Sequence, residues 1–261
     1  MTESTDKRSL SSVSNALRIL RSYTLDRPSQ GITEIAASLG LGKSTVHRLV
    51  TTLTNEGFLV KEADTQKYRL GYSVLTLSGV VTSNLDIYTE ALPIVRKLVD
   101  SVGETSHIGI QDGHDIIYVM KIECNHQVRF LTHVGRRNPL YCTSSGKVLL
   151  AYKDREFLQE IEKSLVKRAP NTITDPVFLE HSLQKIRADG YATSFEELLE
   201  GVHSIAAPIR DYTGNVIAAL NIVGPKQRMG RQKFPLLTKK VVEASQEISA
   251  KLGYYRPRHS S

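Results

Sequence analysis

Hydrophobic positions recur at helical spacing near the start of the chain. Val13, Leu17 and Leu20 are separated by three or four residues, as one face of an α-helix requires. The following segment ITEIAASLG predicts a second helix, with Thr33 as its N-cap and Gly40 as the glycine just beyond its end. Leu41 and a second glycine then lead directly into KSTVHRLVTTLTNEG, which predicts a third helix.

The period changes from helical spacing to alternation after residue 57. The segment FLVKEADTQKYRLG alternates apolar and polar positions on either side of the polar tip Asp64, Thr65 and Gln66, as a β-hairpin would. Two helices joined by a short glycine-containing turn and followed by a β-ribbon predict a winged helix-turn-helix, with the helix-turn-helix at about 32–53.

The third helix has one apolar face and one face without acids. Its apolar positions are Val46, Leu49, Val50 and Leu53, and no acidic residue follows until Glu56. A solvated helix face usually mixes Glu with Lys, whereas a helix in a DNA major groove cannot, because an acid would meet phosphate. We therefore interpret this helix as a recognition helix. Its candidate DNA-binding residues are Lys43, Ser44, Thr45, His47, Arg48 and Thr52.

Within this set, the residues nearest the start of the helix are expected to meet base edges, and Arg48 is the strongest candidate. Lys61 and Lys67 flank the tip of the predicted hairpin. We expect these two lysines to contact backbone phosphates, which contributes affinity rather than sequence preference.

From residue 73 onward the pattern predicts an α+β domain. Mostly helical positions cover 73–100, interrupted at Ser83 and Asn84, with Pro93 expected in the early turns of the helix that follows. Strands are predicted at 105–113, 114–123, 127–135, 203–210 and 215–224, and helices at 146–153, 154–165, 176–189 and 234–252. Antiparallel strands with packed helices are typical of a sensor domain.

The segment CTSSGKVLLAY carries the most chemistry in this second half. Thr143, Ser144, Ser145 and Gly146 lead directly into an apolar helix. Free backbone N–H groups and hydroxyls at a helix start can bind a carboxylate or another small anion. The same residues are also ordinary N-caps, so the sequence leaves both interpretations open.

Composition restricts the class of protein. The 261 residues carry a formal charge of +7, which favours polyanionic partners without identifying one. The polar start MTESTDKRSL lacks the apolar core of a signal peptide, and no apolar run is long enough to span a membrane. Two cysteines without a CxxC motif suit a reducing compartment, so we expect a cytoplasmic protein without a membrane partner.

Ordered motifs in both halves resemble the IclR family of bacterial transcription regulators. In the first half they are SVSNALRIL, ITEIAASLGLGKSTVHRLVTTL and GFL…YRLG; in the second they are VGRRNPLYCTSSGKVLLAY, ADGYAT…EELLEGVHSIAAPI and GNVIAALNIVGP. The resemblance implies a winged helix-turn-helix, a linker helix and a GAF-like effector-binding domain. It also implies homodimers that often pair into tetramers on a palindromic double-stranded DNA operator, and repression of a catabolic operon.

The resemblance also implies an effector pocket, and it covers nearly the whole chain. The residues at matching places are Ser144, Ser145, Gly146, Ser194, Val202, Ser204, Asn221 and Val223. Family members that bind short keto acids carry an acid where Ser194 stands, so a differently shaped or less polar hydroxylated ligand is expected. The predicted divisions are a tail at 1–8, the DNA-binding domain at 9–72, a linker helix at 73–88, the effector and oligomerisation domain at 86–256, and a basic tail at 257–261.

The sequence gives little support to the hypotheses of an enzyme active site or a metal site. Ser144 to Lys147 matches S-x-x-K, but the chain has no K-T-G or S-D-N to complete such a site. Glu196 and Glu197 are adjacent on an extended segment and would point to opposite faces, so one is expected to pair with Arg136 or Arg137 instead.

The cluster of His107, His114, His126, His133 and Cys124 raises a metal question, but its spacings fit no usual zinc pattern. We therefore predict no catalytic residue, metal or cofactor. The alternative function is a DNA-binding protein whose second domain only oligomerises and senses no ligand.

Overall fold

The computed structural model describes residues 11–24, 26–83, 86–126, 132–230 and 232–254. The chain divides into two compact units, residues 1–84 and 85–261. None of the described helices combines the length and the apolar composition needed to span a bilayer.

The first unit is a helical domain with a small three-stranded sheet. In chain order its elements are α1 (Ser11–Arg21), β1 (Ser29–Gln30), α2 (Ile32–Leu39), α3 (Lys43–Asn55), β2 (Leu59–Lys61), β3 (Tyr68–Leu70) and α4 (Ser73–Ser83). The sheet order is β1-β3-β2, and both pairs of strands are antiparallel. This is the predicted winged helix-turn-helix architecture.

The core of the first unit lies between α1, α2, α3 and the sheet. Its buried side chains include Ile19, Ile35, Val46, Val50 and Leu59. Gly40 ends α2 in the left-handed conformation with φ of 66°, as the sequence predicts. The predicted N-cap Thr33 is wrong, because α2 begins at Ile32 and its N-cap position is two residues before Thr33.

The N-cap position of α2 is Gly31, and the side chain of Glu34 replaces the missing cap. Its Oε2 accepts a hydrogen bond from the Gly31 backbone N–H at 2.7 Å. A glutamate three residues into a helix commonly reaches back to the N-cap N–H in this way.

The second unit is built on a six-stranded antiparallel sheet of order β6-β5-β4-β9-β8-β7. Its strands are β4 (Thr105–Asp112), β5 (Asp115–Ile122), β6 (Arg137–Pro139), β7 (Ala192–Phe195), β8 (Val202–Arg210) and β9 (Val216–Pro225). Its helices are α5 (Asp86–Val102), α6 (Ser144–Leu150), α7 (Arg155–Glu162), α8 (Pro176–Asp189) and α9 (Phe234–Lys251). The α+β class predicted from sequence is confirmed.

Three details of the second unit differ from the sequence prediction. Pro93 lies in the interior of α5 rather than in its early turns. The short strands β6 and β7 are absent from the prediction, since three or four residues show no reliable alternation. Part of the predicted strand 127–135 lies outside the described residues, and residues 132–135 form no strand.

The two faces of the large sheet have different partners. One face, with Ile108, Ile205 and Leu220, packs with α5 and α9. The other face, with Tyr118, Ala206 and Ala219, packs with residues of α6, α7 and α8. Because side chains alternate along a strand, this second face also receives the polar residues of β8 and β9 described below.

Helix α6 packs on a 3-10 turn (Leu140–Cys142) at a position that only glycine can occupy. A Cβ atom on Gly146 would lie 2.1 Å from the carbonyl oxygen of Leu140, which is backbone and cannot rotate away. Gly146 is therefore required for the close approach of α6 to this turn.

We expect Gly146→Ala to reduce the free energy of unfolding by about 1–3 kcal/mol or more, because overpacking against backbone forces a shift of the helix. Gly230→Ala is the matched control, since a Cβ there meets nothing within 4 Å. Urea denaturation of the full chain measures both. Equal stability of the two variants would contradict the proposed close approach.

Candidate DNA-binding surface and effector site

The exposed side of α3 is free of acidic residues. Val46, Val50 and Leu53 are buried beneath the helix, whereas Lys43, Ser44, Thr45, His47, Arg48 and Thr52 are exposed. Ser44, Arg48 and Thr51 are spaced by four and three residues, so they form one row opposite the buried face. This row is the part of α3 best placed to enter a groove, and Thr51 belongs to it although it is not among the predicted contacts.

Thr45, Arg48 and Thr52 line a groove of about 430 Å³ between α3 and the start of α1. Thr45 and Thr52 therefore lie on the flank of α3 that faces α1. Among the described residues, Arg48 has no ion-pair partner, so its guanidinium remains available for a base or a phosphate.

The threonine hydroxyls of α3 are already used as donors within the helix. The Oγ1 of Thr51 donates to the carbonyl of His47 at 2.9 Å, and that of Thr52 donates to the carbonyl of Arg48 at 3.1 Å. In this arrangement each threonine offers a DNA partner only an acceptor lone pair and a methyl group. Such groups suit an exocyclic amine or the thymine methyl rather than phosphate.

The two lysines of the wing differ in their partners. The Nζ of Lys67 lies 2.9 Å from the Oε1 of Glu34, the same carboxylate that caps α2. The hydrogen bond from Gly31 and then Lys67 lower the pKa of Glu34, so the pair stays charged. Lys61 is exposed, and the nearest interaction recorded for it is the ring of Tyr68, 6.0 Å from Nζ to the centroid. Of the two lysines of the wing, Lys61 is thus the one without an acidic partner among the residues that the structure describes.

The predicted effector residues come together on the α6 side of the large sheet. The register pairs Ser194 with Ser204 and Ser204 with Val223, so these three side chains form a row across β7, β8 and β9. Val202 and Asn221 lie on the same face, because they are two residues away from Ser204 and Val223 along their strands. Ser204, Val202 and Val223 are partly exposed, whereas Ser194 and Asn221 are buried.

The turn before α6 is tied to this row by side-chain hydrogen bonds. The Oγ of Ser144 donates to the Oγ of Ser204 at 2.8 Å, and the Nδ2 of Asn221 donates to the Oγ of Ser145 at 2.7 Å. Both serines of the turn are fully buried. The Oγ1 of Thr143 accepts from the N–H of Gly146 at 2.9 Å, so the capping interpretation left open by the sequence describes this turn.

His107 belongs to this site, although the sequence suggests it only as a doubtful metal ligand. Its backbone N–H and its Nδ1 both lie 3.1 Å from the Oδ1 of Asn221, and its Nε2 lies 2.9 Å from the Oγ1 of Thr132. Because an amide oxygen only accepts, Nδ1 carries the proton and Nε2 accepts from Thr132. The imidazole is therefore neutral. The sequence signal was a polar residue within the strand TSHIGIQD.

A buried ion pair lies on the other side of α6. The Nζ of Lys147 is 2.6 Å from the Oε1 of Glu197, and both side chains are more than nine-tenths buried. Glu196 instead pairs with Lys226 at 3.0 Å, and Arg137 pairs with Asp112. The expected pairing of a glutamate with Arg136 or Arg137 is therefore wrong, because the chain fold brings lysines closer to both.

The candidate nucleophiles near this turn are inactive in their surroundings. Burial, and then the carboxylate of Glu197, raise the pKa of Cys142 to about 12, so the thiol stays protonated. The ammonium of Lys147 is committed to Glu197, which leaves the S-x-x-K motif without a base. Within the residues that the structure describes, His, Cys, Asp and Glu form no group of three or more that could hold a metal ion.

Comparisons with known proteins identify the same family in both units of the chain. The family described as "IclR helix-turn-helix domain" matches residues 12–63, and "Bacterial transcriptional regulator IclR C-terminal" matches residues 79–250. The chain is 35% identical over 249 residues to the HTH-type transcriptional regulator KdgR of Escherichia coli (strain K12), covering 95% of this chain and 94% of the relative.

Two solved structures that cover more than nine-tenths of this chain show the same fold. An IclR transcriptional regulator from Alicyclobacillus acidocaldarius matches with a TM-score of 0.84 and 26% identity, covering 94% of this chain and 100% of that chain. An IclR homologue from Microbacterium hydrocarbonoxydans, complexed with 4-hydroxybenzoate, matches with a TM-score of 0.83 and 28% identity, covering 92% of this chain and 98% of that chain.

We expect Arg48→Ala to weaken binding to a selected duplex by about 1–3 kcal/mol and to relax preference at one base pair, if the guanidinium makes a bidentate base contact. The measurement is selection from a randomised duplex library with the wild-type chain, followed by anisotropy titrations. Arg96→Ala, an exposed arginine of α5, controls for loss of one positive charge. An equal loss on every duplex would assign Arg48 to phosphate instead.

A second prediction concerns pH. Burial lowers the pKa of His107 from 6.5 to about 4, so the unfolded chain takes up this proton more readily than the folded domain. The corresponding stability is complete above about pH 6.5 and is lost as the pH falls toward 4. At pH 5 we expect the free energy of unfolding of the wild type to be lower by about 2 kcal/mol because of His107.

The His107→Gln variant should lack that part of the loss between pH 7 and pH 5. Denaturation by urea at the two pH values, followed by circular dichroism, measures the difference. An identical pH dependence in both chains would show that His107 is not held neutral.

Proposed function

The chain belongs to the IclR family of bacterial transcription regulators, and we propose that it represses a catabolic operon under the control of a small, carboxylate-bearing metabolite. The protein is a DNA-binding transcription regulator and not an enzyme. The metabolite binds the second domain and changes the affinity of the first domain for its operator. The site of action is the cytoplasm, where the chromosome is.

The DNA-binding surface supports recognition of a specific duplex. The row of Ser44, Arg48 and Thr51 is exposed, carries no acid and lies opposite the buried face of α3. Two copies of this surface in a dimer would meet successive major grooves, which a duplex presents ~34 Å apart, so the proposed operator is palindromic.

Exposed apolar side chains support a homodimer. No residue of α4 from Ser73 to Val80 is buried, and Leu75 and Leu77 are 65% and 55% exposed. Val13 on α1 is 54% exposed. Large apolar side chains exposed along a helix require a cover, and a second copy of the first unit supplies one with matching chemistry. Pairing of dimers into a tetramer through the second domain is proposed from the family resemblance.

The convergence of hydroxyl and amide groups on an accessible sheet face carries the effector part of the proposal. Ser194, Ser204 and Asn221 meet the turn of Ser144 and Ser145 beside the partly exposed Val202 and Val223. A few polar groups on a mostly apolar wall are typical of small-molecule sites. The ligand reported for the Microbacterium homologue has both a hydroxyl and a carboxylate, which fits this class of effector.

Coupling between the two domains need only be modest. A coupling free energy of about 1–3 kcal/mol changes affinity by roughly 5–150-fold, and it acts equally in both directions. Operator DNA should therefore weaken effector binding by the factor by which the effector weakens operator binding.

One observation favours the alternative of a second domain that only oligomerises. Ser144 and Ser145 are fully buried, and both already have hydrogen-bond partners within the protein. A purely structural role would look the same at these two positions. Ser204 separates the two functions, because it is partly exposed and lies at the centre of the row.

We expect a thermal-denaturation screen of hydroxy acids, sugar acids and aromatic acids to yield a stabilising compound, which then releases wild-type protein from a selected duplex. Ligand at 100 times its dissociation constant adds about 2.7 kcal/mol to native stability. Ser204→Ala should reduce the response at least tenfold while basal duplex binding stays unchanged.

Ser101→Ala, which removes a hydroxyl from α5, is the control and should respond like the wild type. If no compound in the screen changes stability or duplex binding, the second domain only oligomerises. If Ser204→Ala responds normally, the effector binds elsewhere.

A further inference from the structure

The polar row of the effector site extends beyond the predicted residues, across two more strands. The register pairs Asn221 of β9 with His107 of β4, and His107 with Lys121 of β5. Cross-strand partners place their side chains on the same face of a sheet, so all three lie on the α6 side. Lys121 brings a positive charge to a row that otherwise consists of hydroxyls, an amide and a neutral imidazole.

The ammonium of Lys121 is held close to the protein surface rather than in solvent. Its side chain is only 13% exposed. Its Nζ lies 2.6 Å from the Oε1 of Glu123 and donates to the carbonyl oxygen of Thr132. Because a desolvated ammonium requires a counter-charge, some carboxylate must remain at this position.

The two lysines on this side of the sheet differ in how far the glutamate that pairs with each of them is exposed to solvent. The partner of Lys147 is Glu197, whose side chain is 8% exposed and enclosed by the core. The partner of Lys121 is Glu123, whose side chain is 40% exposed. A carboxylate in solvent contact can be replaced by another carboxylate at little cost, whereas removal of Glu197 would leave a buried charge unpaired.

The turn before α6 is poorly suited to hold an anion. The N–H of Gly146 is satisfied by Thr143, and the hydroxyls of Ser144 and Ser145 are bonded to Ser204 and Asn221. Helix α6 has only seven residues, which limits its dipole. The hydroxyl groups therefore suit a neutral part of a ligand, and its charge needs another partner.

The spacing of the strands sets the size of a ligand that uses both ends. Strands lie ~4.8 Å apart and rise ~3.4 Å per residue. Lys121 is paired through His107 and Asn221 with Ala206, which is two residues from Ser204. The backbones at Ser204 and Lys121 are therefore separated by three strand intervals and two residues, or about 16 Å. The extended lysine side chain covers about 6 Å and a hydrogen bond to its ammonium about 3 Å, which leaves about 7 Å. A hydroxylated monocarboxylic acid with its two polar ends about 6–8 Å apart fits this length.

We propose that Lys121 binds the carboxylate of the effector, and that this carboxylate replaces that of Glu123 at the lysine. The inference rests on the proposed effector site and adds the residue that selects for acids. The hydroxyl end of the ligand lies toward Ser194 and Ser204. Because His107 is neutral, Lys121 supplies the positive charge of the row.

The test compares acids with their neutral amides on the full-length chain. The probe pairs are 4-hydroxybenzoate with 4-hydroxybenzamide and gluconate with gluconamide, and calorimetric titration measures each dissociation constant. We expect the wild type to prefer at least one acid over its amide by tenfold or more. Lys121→Met should abolish that preference by weakening the acid at least tenfold, with the amide unchanged.

Three further variants separate charge from structure. Lys121→Arg should retain the preference for acids, and Glu123→Gln should strengthen acid binding because the competing carboxylate is gone. Lys185→Met removes an exposed lysine of α8 and should bind like the wild type. Duplex binding without ligand should be the same in Lys185→Met and the wild type.

Each contrary outcome has a distinct meaning. If Lys121→Met keeps the preference for acids, or if the wild type binds amides as well as acids, Lys121 is not the carboxylate partner, although the proposed effector site stands. If neither acids nor amides bind the wild type, both the inference and the effector site fail.

Discussion

The side-chain amide of Asn221 connects the three parts of the second domain that form the proposed effector site. Its oxygen accepts from the backbone N–H and the Nδ1 of His107, and its nitrogen donates to the hydroxyl of Ser145. A buried amide that lost these partners would be costly, so β9, β4 and the turn before α6 are held in one arrangement. The bond from Ser144 to Ser204 depends on that turn, and so does the shape of the accessible face.

The large sheet separates stability from recognition by using its two faces differently. The face toward α5 and α9 is packed with aliphatic side chains such as Ile205 and Leu220. The face toward α6 combines small residues with a polar row and two ion pairs of different character. Lys147 and Glu197 are enclosed, while Lys121 has an accessible counter-ion. The enclosed pair fixes α6 in place, and we propose that the accessible pair exchanges its carboxylate for that of a ligand.

The first domain shows a similar division of charge between fold and function. Glu34 caps α2 and neutralises Lys67, so both charges contribute to the connection between this helix and the wing. Arg48 and Lys61 are exposed and have no acidic partner in the part of the chain that the structure describes, and we propose bases and phosphates as their partners. A lysine near the tip of a wing is thus not automatically a DNA contact, because an acid from a neighbouring element can satisfy it first.

The sequence by itself determined the elements whose signals are local. The acid-free face of α3, the left-handed Gly40 and the alternation of β8 and β9 all follow from spacing along the chain, and the fold class followed from their order. The candidate effector residues came from the family resemblance, and the register brings them to one face. Their role in binding remains a proposal.

Only the tertiary structure decided which partners meet across long separations. Lys67 pairing with Glu34, Lys147 pairing with Glu197, and the row of Asn221, His107 and Lys121 each depend on strand register or helix packing. A histidine or lysine within a strand has the same local pattern whether it faces solvent, core or ligand. The physical reason is that burial and counter-charge come from neighbours distant in sequence, and the local pattern carries no information about them.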